Sequence, residues 1–184
     1  MGFLKRTYNR QQHPALVIGE IGLVRSLAAT GVPVYVGSEI ENNPVLHSKY
    51  VQRKIMFSSY DSTEFIDQLC NFGKTLDQRP VIFSDDDRAI LNISNNRERL
   101  AKYYHLLYPS KEMVAKILDK QRFTELSELY QLPSPESYQV STTRDFEQIV
   151  SEVPYPCIIK PTQRHFWWGD EFAQKVGKYQ KAFK

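Results

Sequence analysis

The chain contains no apolar run near the roughly 20 residues that a helix needs to cross a bilayer, so we do not expect a membrane-spanning protein. Its first six residues have neither the apolar segment of a signal peptide nor the Ser or Thr that a myristoylation signal needs at position 6. Cysteine is scarce: Cys70 and Cys157 stand far apart in apolar patterns, which favours two buried free thiols over a disulfide or a metal site. These absences predict a cytoplasmic protein.

The chain also has only a small excess of positive charge, with a formal net charge of +3 over 184 residues. The positive charge lies at the ends: residues 1–13 hold three basic side chains and no acidic one, and residues 160–184 hold six basic and two acidic ones. A nucleic-acid-binding protein more often carries its positive charge as a stripe across the folded body. We therefore expect no nucleic-acid partner.

Residues 13–112 alternate between strand-like and helix-like patterns. Ala15 to Ile18 is a continuous apolar run ending at Gly19, the pattern of a strand that is buried on both faces. A helix-spaced apolar stripe follows it, and further strands are predicted at 32–36, 54–57 and 80–83. Because a strand–helix–strand crossover pairs its strands in parallel, this rhythm predicts an α/β, Rossmann-like domain with a doubly wound parallel sheet.

The helix between the third and fourth strands is predicted to begin at Asp61. Asp61 is a favourable N-cap, Glu64 would complete a capping box, and Tyr60 is placed to pack on Phe65. The face of this helix that we expect to be buried holds Phe65, Ile66, Leu69, Cys70 and Leu76.

A second domain is predicted over residues 113–184, because the strand–helix rhythm stops after Pro109. A short helix is followed by Asp119 as the N-cap of another helix, in which Phe123, Leu126 and Leu129 are expected to be buried. A strand at 138–140, a helix with an apolar stripe between residues 146 and 153, and a strand at 156–159 complete a partial α+β arrangement.

The turn after the first strand is a candidate substrate-side site. Gly19, Glu20 and Gly22 lie where a helix N-terminus offers free N–H groups to an anion. Arg25, one turn further on, is placed to pair with a carboxylate, although a surface arginine is the alternative. The spacing falls short of the G-x-G-x-x-G fingerprint, so we do not expect NAD, and the pattern is equally compatible with a tight structural turn.

Asp85, Asp86 and Asp87 follow the fourth strand. Open parallel sheets bind ligands at the carboxyl ends of their strands, but acidic residues also favour helix N-termini. We therefore expect one of the three to be a helix cap and retain Asp85 as a candidate substrate contact. A metal site is not expected from this run alone.

Two lysines lie where an element begins or ends. Lys120 is the first helical residue after Asp119, and Lys160 follows the apolar run that ends at Ile159. A lysine on a rigid element can present its ammonium group to a phosphate as a fixed charge; the alternatives are a solvated lysine and an ordinary strand end.

In their order and spacing these features resemble the ATP-grasp superfamily, specifically its carboxylate-amine ligase branch with an amino-terminal pre-ATP-grasp domain. The matching segments cover most of residues 14–161 and are the runs at 14–19, 24–34, 119–120, 132–135 and 155–161. The resemblance implies that Lys120 and Lys160 contact ATP phosphates and that the first domain helps to hold the acid. It further implies an acyl-phosphate intermediate, small-molecule carboxylate and amine substrates, and ATP and Mg²⁺ as cofactors, and it is compatible with a homodimer.

The sequence departs from the family pattern in two ways. The segment 162–168 holds no glycine, whereas many members carry a glycine-rich phosphate loop there. The large carboxy-terminal lobe, which in the family supplies the magnesium ligands, is absent from these 184 residues. We therefore assign no catalytic residue and no metal ligand to this chain and expect it to be inactive alone. Two alternatives stay open: a non-catalytic small-molecule-binding module, and an interaction module whose basic tail binds an anionic partner.

Overall fold

The computed structural model describes residues 13–154, 156–158 and 181–182, the last pair by its backbone alone. The chain divides into two compact units, Met1–Val114 and Ala115–Lys184, called here the amino-terminal and the carboxy-terminal unit. No helix in the described part of the chain combines the length and apolar character that crossing a bilayer requires. Both cysteines are free thiols, Cys70 buried and Cys157 half-buried.

The amino-terminal unit is built on a four-stranded parallel sheet, as the sequence predicts. Its strands are β1 (Ala15–Ile18), β2 (Val34–Ser38), β3 (Val51–Met56) and β4 (Val81–Ser84), in the order β3-β2-β1-β4. The central strand β1 pairs Ala15 with Val34 of β2 on one side and with Val81 of β4 on the other. The chain thus builds the sheet outward from β1 in one direction and then returns to add β4 on the opposite side.

Helices cover both faces of this sheet, which confirms the α/β class. The helices of this unit are α1 (Ile21–Ala29), α2 (Thr63–Lys74), α3 (Asp87–Asn95) and α4 (Arg97–Leu100), with a 3-10 helix at Pro44–His47. Alternate residues of β1 enter different cores: Leu16 and Ile18 pack with residues of α2, α3 and α4, whereas Val17 packs with Val24 of α1. A strand buried on both faces is therefore continuously apolar.

The predicted start of α2 was wrong by one residue. Ser62 is the N-cap, and its hydroxyl accepts a hydrogen bond from the Phe65 N–H. Asp61 lies one position too early to cap the helix, so Glu64 cannot complete a capping box with it. The predicted contact between Tyr60 and Phe65 is present, with ring centroids 5.3 Å apart.

The carboxy-terminal unit contains helices and a small sheet. Helix α5 (Lys111–Leu118) crosses the boundary between the units, and α6 (Lys120–Leu129) and α7 (Thr143–Glu152) follow. Strand β5 (Cys157–Ile158) pairs antiparallel with β6 (Lys181–Ala182). Asp119 is the N-cap of α6, as predicted, and accepts a hydrogen bond from the Arg122 N–H.

Two expectations for this unit were wrong. Residues 138–140 form no strand, because a strand needs a neighbour to satisfy its backbone groups and none pairs with this stretch among the described residues. In α6, Leu126 is buried as expected, but Phe123 and Leu129 are 41% and 74% exposed. Among the described residues, no layer buries these two side chains.

Candidate functional site

The first candidate site lies at the carboxyl ends of β1 and β4. Strand order reverses here, because β1 leads through α1 to β2 on one side while β4 lies on the other side. Such a reversal leaves a crevice between the connecting segments, which is where open α/β sheets bind ligands. The segments that border it are the turn after Ile18 and the turn after Ser84.

Asp85 closes directly over the turn that follows β1. Its Oδ2 accepts a hydrogen bond from the Glu20 N–H at 3.0 Å. A Cβ added at Gly19 would lie only 2.1 Å from Asp85 Oδ1, so only glycine allows the carboxylate to approach this closely. The structure therefore brings together Gly19, Glu20 and Asp85, three of the residues that the sequence singled out.

The remaining carboxylates of the acidic run have structural partners or lie in the helix. Asp86 is the N-cap of α3 and accepts from the N–H groups of Arg88 and Ala89. This confirms that one aspartate of the run is a cap. The Ser84 hydroxyl donates to the Ile18 carbonyl at 2.8 Å and so ties the end of β4 to the end of β1.

Gly22 and Arg25 take no part in these contacts. Gly22 lies in the first turn of α1, and a Cβ added there would meet nothing within 4 Å. Arg25 is exposed on the same helix. Glu20 is the N-cap of α1 but makes no side-chain capping bond. Its backbone N–H is instead satisfied by Asp85 from 65 residues away.

A charge cluster beside the crevice was not predicted. Arg88 of α3 donates to Glu39, which follows β2, and to Asp86 at 3.0 Å, and it lies 3.7 Å from Asp61. Its guanidinium also lies 5.3 Å from the ring centroid of Tyr60. Burial alone would lower the pKa of Arg88, but its hydrogen bonds to Asp86 and Glu39 outweigh burial and raise that pKa.

Glu39 and Tyr60 fix the geometry of this cluster. The Tyr60 N–H donates to Glu39 Oε2 at 3.0 Å, and the Glu39 N–H donates to the Tyr60 hydroxyl at 3.3 Å. Burial, together with the neighbouring carboxylates, raises the pKa of Tyr60, although the Glu39 N–H bond to its hydroxyl acts in the opposite direction. Because Tyr60 and Arg88 lie 21 and 49 residues from Glu39, no local motif indicates their contacts with it. The one available signal is that Glu39 follows β2 and Arg88 lies just after β4.

The second candidate site is the start of α6. Asp119 caps this helix, which places Lys120 at its first position with an exposed side chain. The Lys120 ammonium group is thus available to an anion beside the capped helix start. Lys160 and the segment 162–168 lie outside the described residues.

Among residues 13–154 and the short described pieces beyond them, no group of three or more His, Cys, Asp or Glu side chains is arranged to hold a metal ion.

The parallel sheet followed by a smaller α+β unit is a fold that this chain shares with the amino-terminal part of several solved ligases and carboxylases. N5-carboxyaminoimidazole synthetase from Staphylococcus aureus, solved with ADP, matches with a TM-score of 0.59 at 16% identity over 86% of this chain and 41% of its own. An L-amino acid ligase from Bacillus licheniformis matches with a TM-score of 0.57 at 15% identity over 90% of this chain and 43% of its own.

A third similar structure is the biotin carboxylase domain of 2-oxoglutarate carboxylase from Hydrogenobacter thermophilus, solved with MgADP and bicarbonate. It has a TM-score of 0.54 at 16% identity, over 84% of this chain and 36% of its own. The chain thus spans about two fifths of the length of the solved structures it matches. No protein-family model and no curated protein matches the sequence.

Proposed function

We propose that this chain is the amino-terminal part of an ATP-dependent carboxylate-amine ligase, comprising a pre-ATP-grasp domain over residues 13–112 and the start of the nucleotide-binding subdomain over 113–184. The observation that carries the proposal is the fold shared with three ligases or carboxylases that act on different substrates, over 84–90% of this chain. A fold alone does not determine function, so the residues of the two candidate sites supply the rest of the argument.

Lys120 is the described residue that we assign to nucleotide binding. When bound, ATP would supply the phosphoryl group that converts a carboxylate into an acyl phosphate, which an amine then displaces. The Asp119 cap holds Lys120 at the first helical position. There its exposed ammonium group would neutralise phosphate charge. Positioning and charge stabilisation are the main contributions that a protein makes to phosphoryl transfer. Lys160 is proposed as the second phosphate contact on the strength of the family resemblance alone.

The carboxyl edge of the sheet is assigned to the small-molecule substrate. Gly19, Glu20 and Asp85 border the crevice at the strand reversal, and Gly22 and Arg25 lie on the helix that begins there. Asp85 already accepts from the Glu20 N–H, so a carboxylate substrate would have to bind beside it. The remaining free N–H groups of the first turn of α1 and the Arg25 guanidinium are the groups available to such an acid.

A second candidate function is small-molecule binding without ligation. The supporting observation is that Gly19, Glu20 and Asp85 all belong to the amino-terminal unit, which forms a compact unit by itself. Thermal-shift measurements separate the two functions: stabilisation by a carboxylate but not by ATP would favour the non-catalytic module.

Binding of a fluorescent ATP analogue tests the assignment of Lys120. We expect Lys120→Met, which keeps the side-chain length and removes the charge, to weaken binding about tenfold, the scale of one charge-assisted hydrogen bond. The matched control is Lys102→Met, an exposed lysine of the amino-terminal unit, which should leave binding unchanged. Equal effects of the two substitutions, or no saturable binding at any concentration, would count against the nucleotide site.

A further inference from the structure

A cluster of His13, Arg79 and His105 lies at the opposite, amino-terminal edge of the sheet. His13 precedes β1, Arg79 precedes β4, and His105 follows α4. The His105 N–H donates to the Pro80 carbonyl at 2.9 Å, and the Ile82 N–H donates to the His105 carbonyl at 3.2 Å. The backbone around His105 therefore pairs with β4 and covers the edge of β4 that faces away from β1.

The side-chain contacts fix the protonation state of His105. Arg79 Nη2 lies 3.1 Å from His105 Nδ1, and the other terminal nitrogen of Arg79 donates to the Ala101 carbonyl at 3.1 Å. Because a guanidinium has no acceptor, Nδ1 of His105 must accept, so the ring is neutral with its proton on Nε2. That Nε2 is buried and has no hydrogen-bond partner among the described residues.

The groups that face His105 make protonation unfavourable. The His13 ring packs edge-on against it, with centroids 4.7 Å apart, and His13 Nδ1 lies 3.2 Å from the Arg79 carbonyl, to which it donates. Asp77 and Gln78 complete the lining of the cleft that these side chains form. Burial, the Arg79 charge and His13 all lower the pKa of His105. A proton on Nδ1 would remove the atom that accepts from Arg79 and would place two positive charges next to each other.

We propose that His105 forms a pH-sensitive contact. Its protonation releases the segment around residue 105 from the edge of β4, while the rest of the sheet stays folded. A histidine whose pKa is lowered by folding favours the closed state most strongly at pH values above its ordinary pKa of about 6.5. That stabilisation is lost as the pH falls from there through the lowered pKa. Opening would expose the backbone groups of β4 at this edge, including the Ile82 amide.

Amide hydrogen exchange of the whole chain tests whether the segment around residue 105 is released from β4 at low pH. Between pH 7.5 and pH 5, after correction for the intrinsic rates, we expect the protection of the Ile82 and His105 amides to fall by about tenfold, the scale of losing one hydrogen bond to a charged group. Val36 in β2 is the internal reference and should lose no protection. Unchanged protection at Ile82 and His105 would overturn the proposal.

Two variants make the test specific. In His105→Gln the side-chain oxygen can still accept from Arg79 but does not titrate, so the pH dependence of protection at Ile82 should disappear. His47→Gln, at the exposed end of the 3-10 helix, is the matched control and should keep the wild-type response. Retention of the response in His105→Gln, or its loss in His47→Gln, would refute the assignment to His105. Nitrogen chemical shifts of the His105 ring should also show the Nε2–H tautomer at pH 7.5.

Discussion

The two units carry apolar patterns of similar clarity but bury them to different extents. In α2 of the amino-terminal unit, Phe65, Ile66 and Leu69 are all at most 1% exposed. In α7 of the carboxy-terminal unit no residue is buried, and Phe146 and Val150 are 45% and 40% exposed. Periodicity thus identifies which face of a helix is apolar, whereas burial requires a second layer against that face.

The amino-terminal unit supplies its own second layer. Four strands present both faces to helices, and two cores result. In the carboxy-terminal unit the described sheet has two strands of two residues each, and a sheet of that size is at best marginally stable alone. Of the described buried apolar residues, only Leu126 belongs to the carboxy-terminal unit.

The largest expected contrast is between one leucine of each unit. Leu69→Ala should lower the free energy of unfolding by about 2–5 kcal/mol, because it leaves a cavity in a filled core. Leu129→Ala, at a position that is 74% exposed, should change it by less than about 0.5 kcal/mol. Urea unfolding followed by circular dichroism measures both. Comparable losses would mean that the face of α6 is covered in solution.

Two glycines near the end of β1 are expected to respond to substitution in opposite directions. Gly19→Ala should destabilise the amino-terminal unit by about 1–3 kcal/mol, the cost of forcing a Cβ into the space held by Asp85. Gly22→Ala, in open space on α1, should instead stabilise it by about 0.5–1 kcal/mol through helix propensity. Thermal unfolding distinguishes the signs, and destabilisation by both would contradict the described turn.

Two arginines compare a half-buried cluster with a surface pair. Arg88→Met should cost about 1–2 kcal/mol, because Glu39 would lose a charged partner within a half-buried network. Arg99→Met removes the exposed pair with Asp67 and should cost less than about 0.5 kcal/mol. Chemical denaturation of each variant gives the difference. An equal cost would show that the Arg88 cluster is open to solvent.

Helix caps give the smallest expected effects. Ser62→Ala removes the cap of α2 and should lower the unfolding free energy of the amino-terminal unit by about 1 kcal/mol. Thr142→Ala breaks the capping box that Thr142 forms with Asp145 in α7, and it should reduce helicity there without affecting the other unit. Amide exchange resolved by residue tests this. The loss of the cap is expected to act locally, so a loss of protection in β1 on Thr142→Ala would contradict the prediction.

Much of the amino-terminal fold was predictable because its signals are local. The strand at Ala15–Ile18 is apolar on both faces, and the turn at Gly31 adopts the positive φ of 83° that a helix C-terminus favours. The start of α2 was misplaced because Asp61 and Ser62 are adjacent and equally good caps. The contact between Arg88 and Glu39 was not predictable, since 49 residues separate them. The strand expected at 138–140 failed for a similar reason, because strand formation depends on a partner that the segment itself does not encode.

Amide chemical shifts during titration of the isotopically labelled chain with Mg-ATP show whether the nucleotide binds at the start of α6, because they detect weak binding and locate it. We expect concentration-dependent shifts at residues 119–122, at the start of α6, and their loss in Lys120→Met. Residues around the crevice of the amino-terminal unit should be unaffected by the nucleotide. Shifts confined to Gly19, Glu20 and Asp85, with none in α6, would contradict the assignment of the nucleotide to the carboxy-terminal unit.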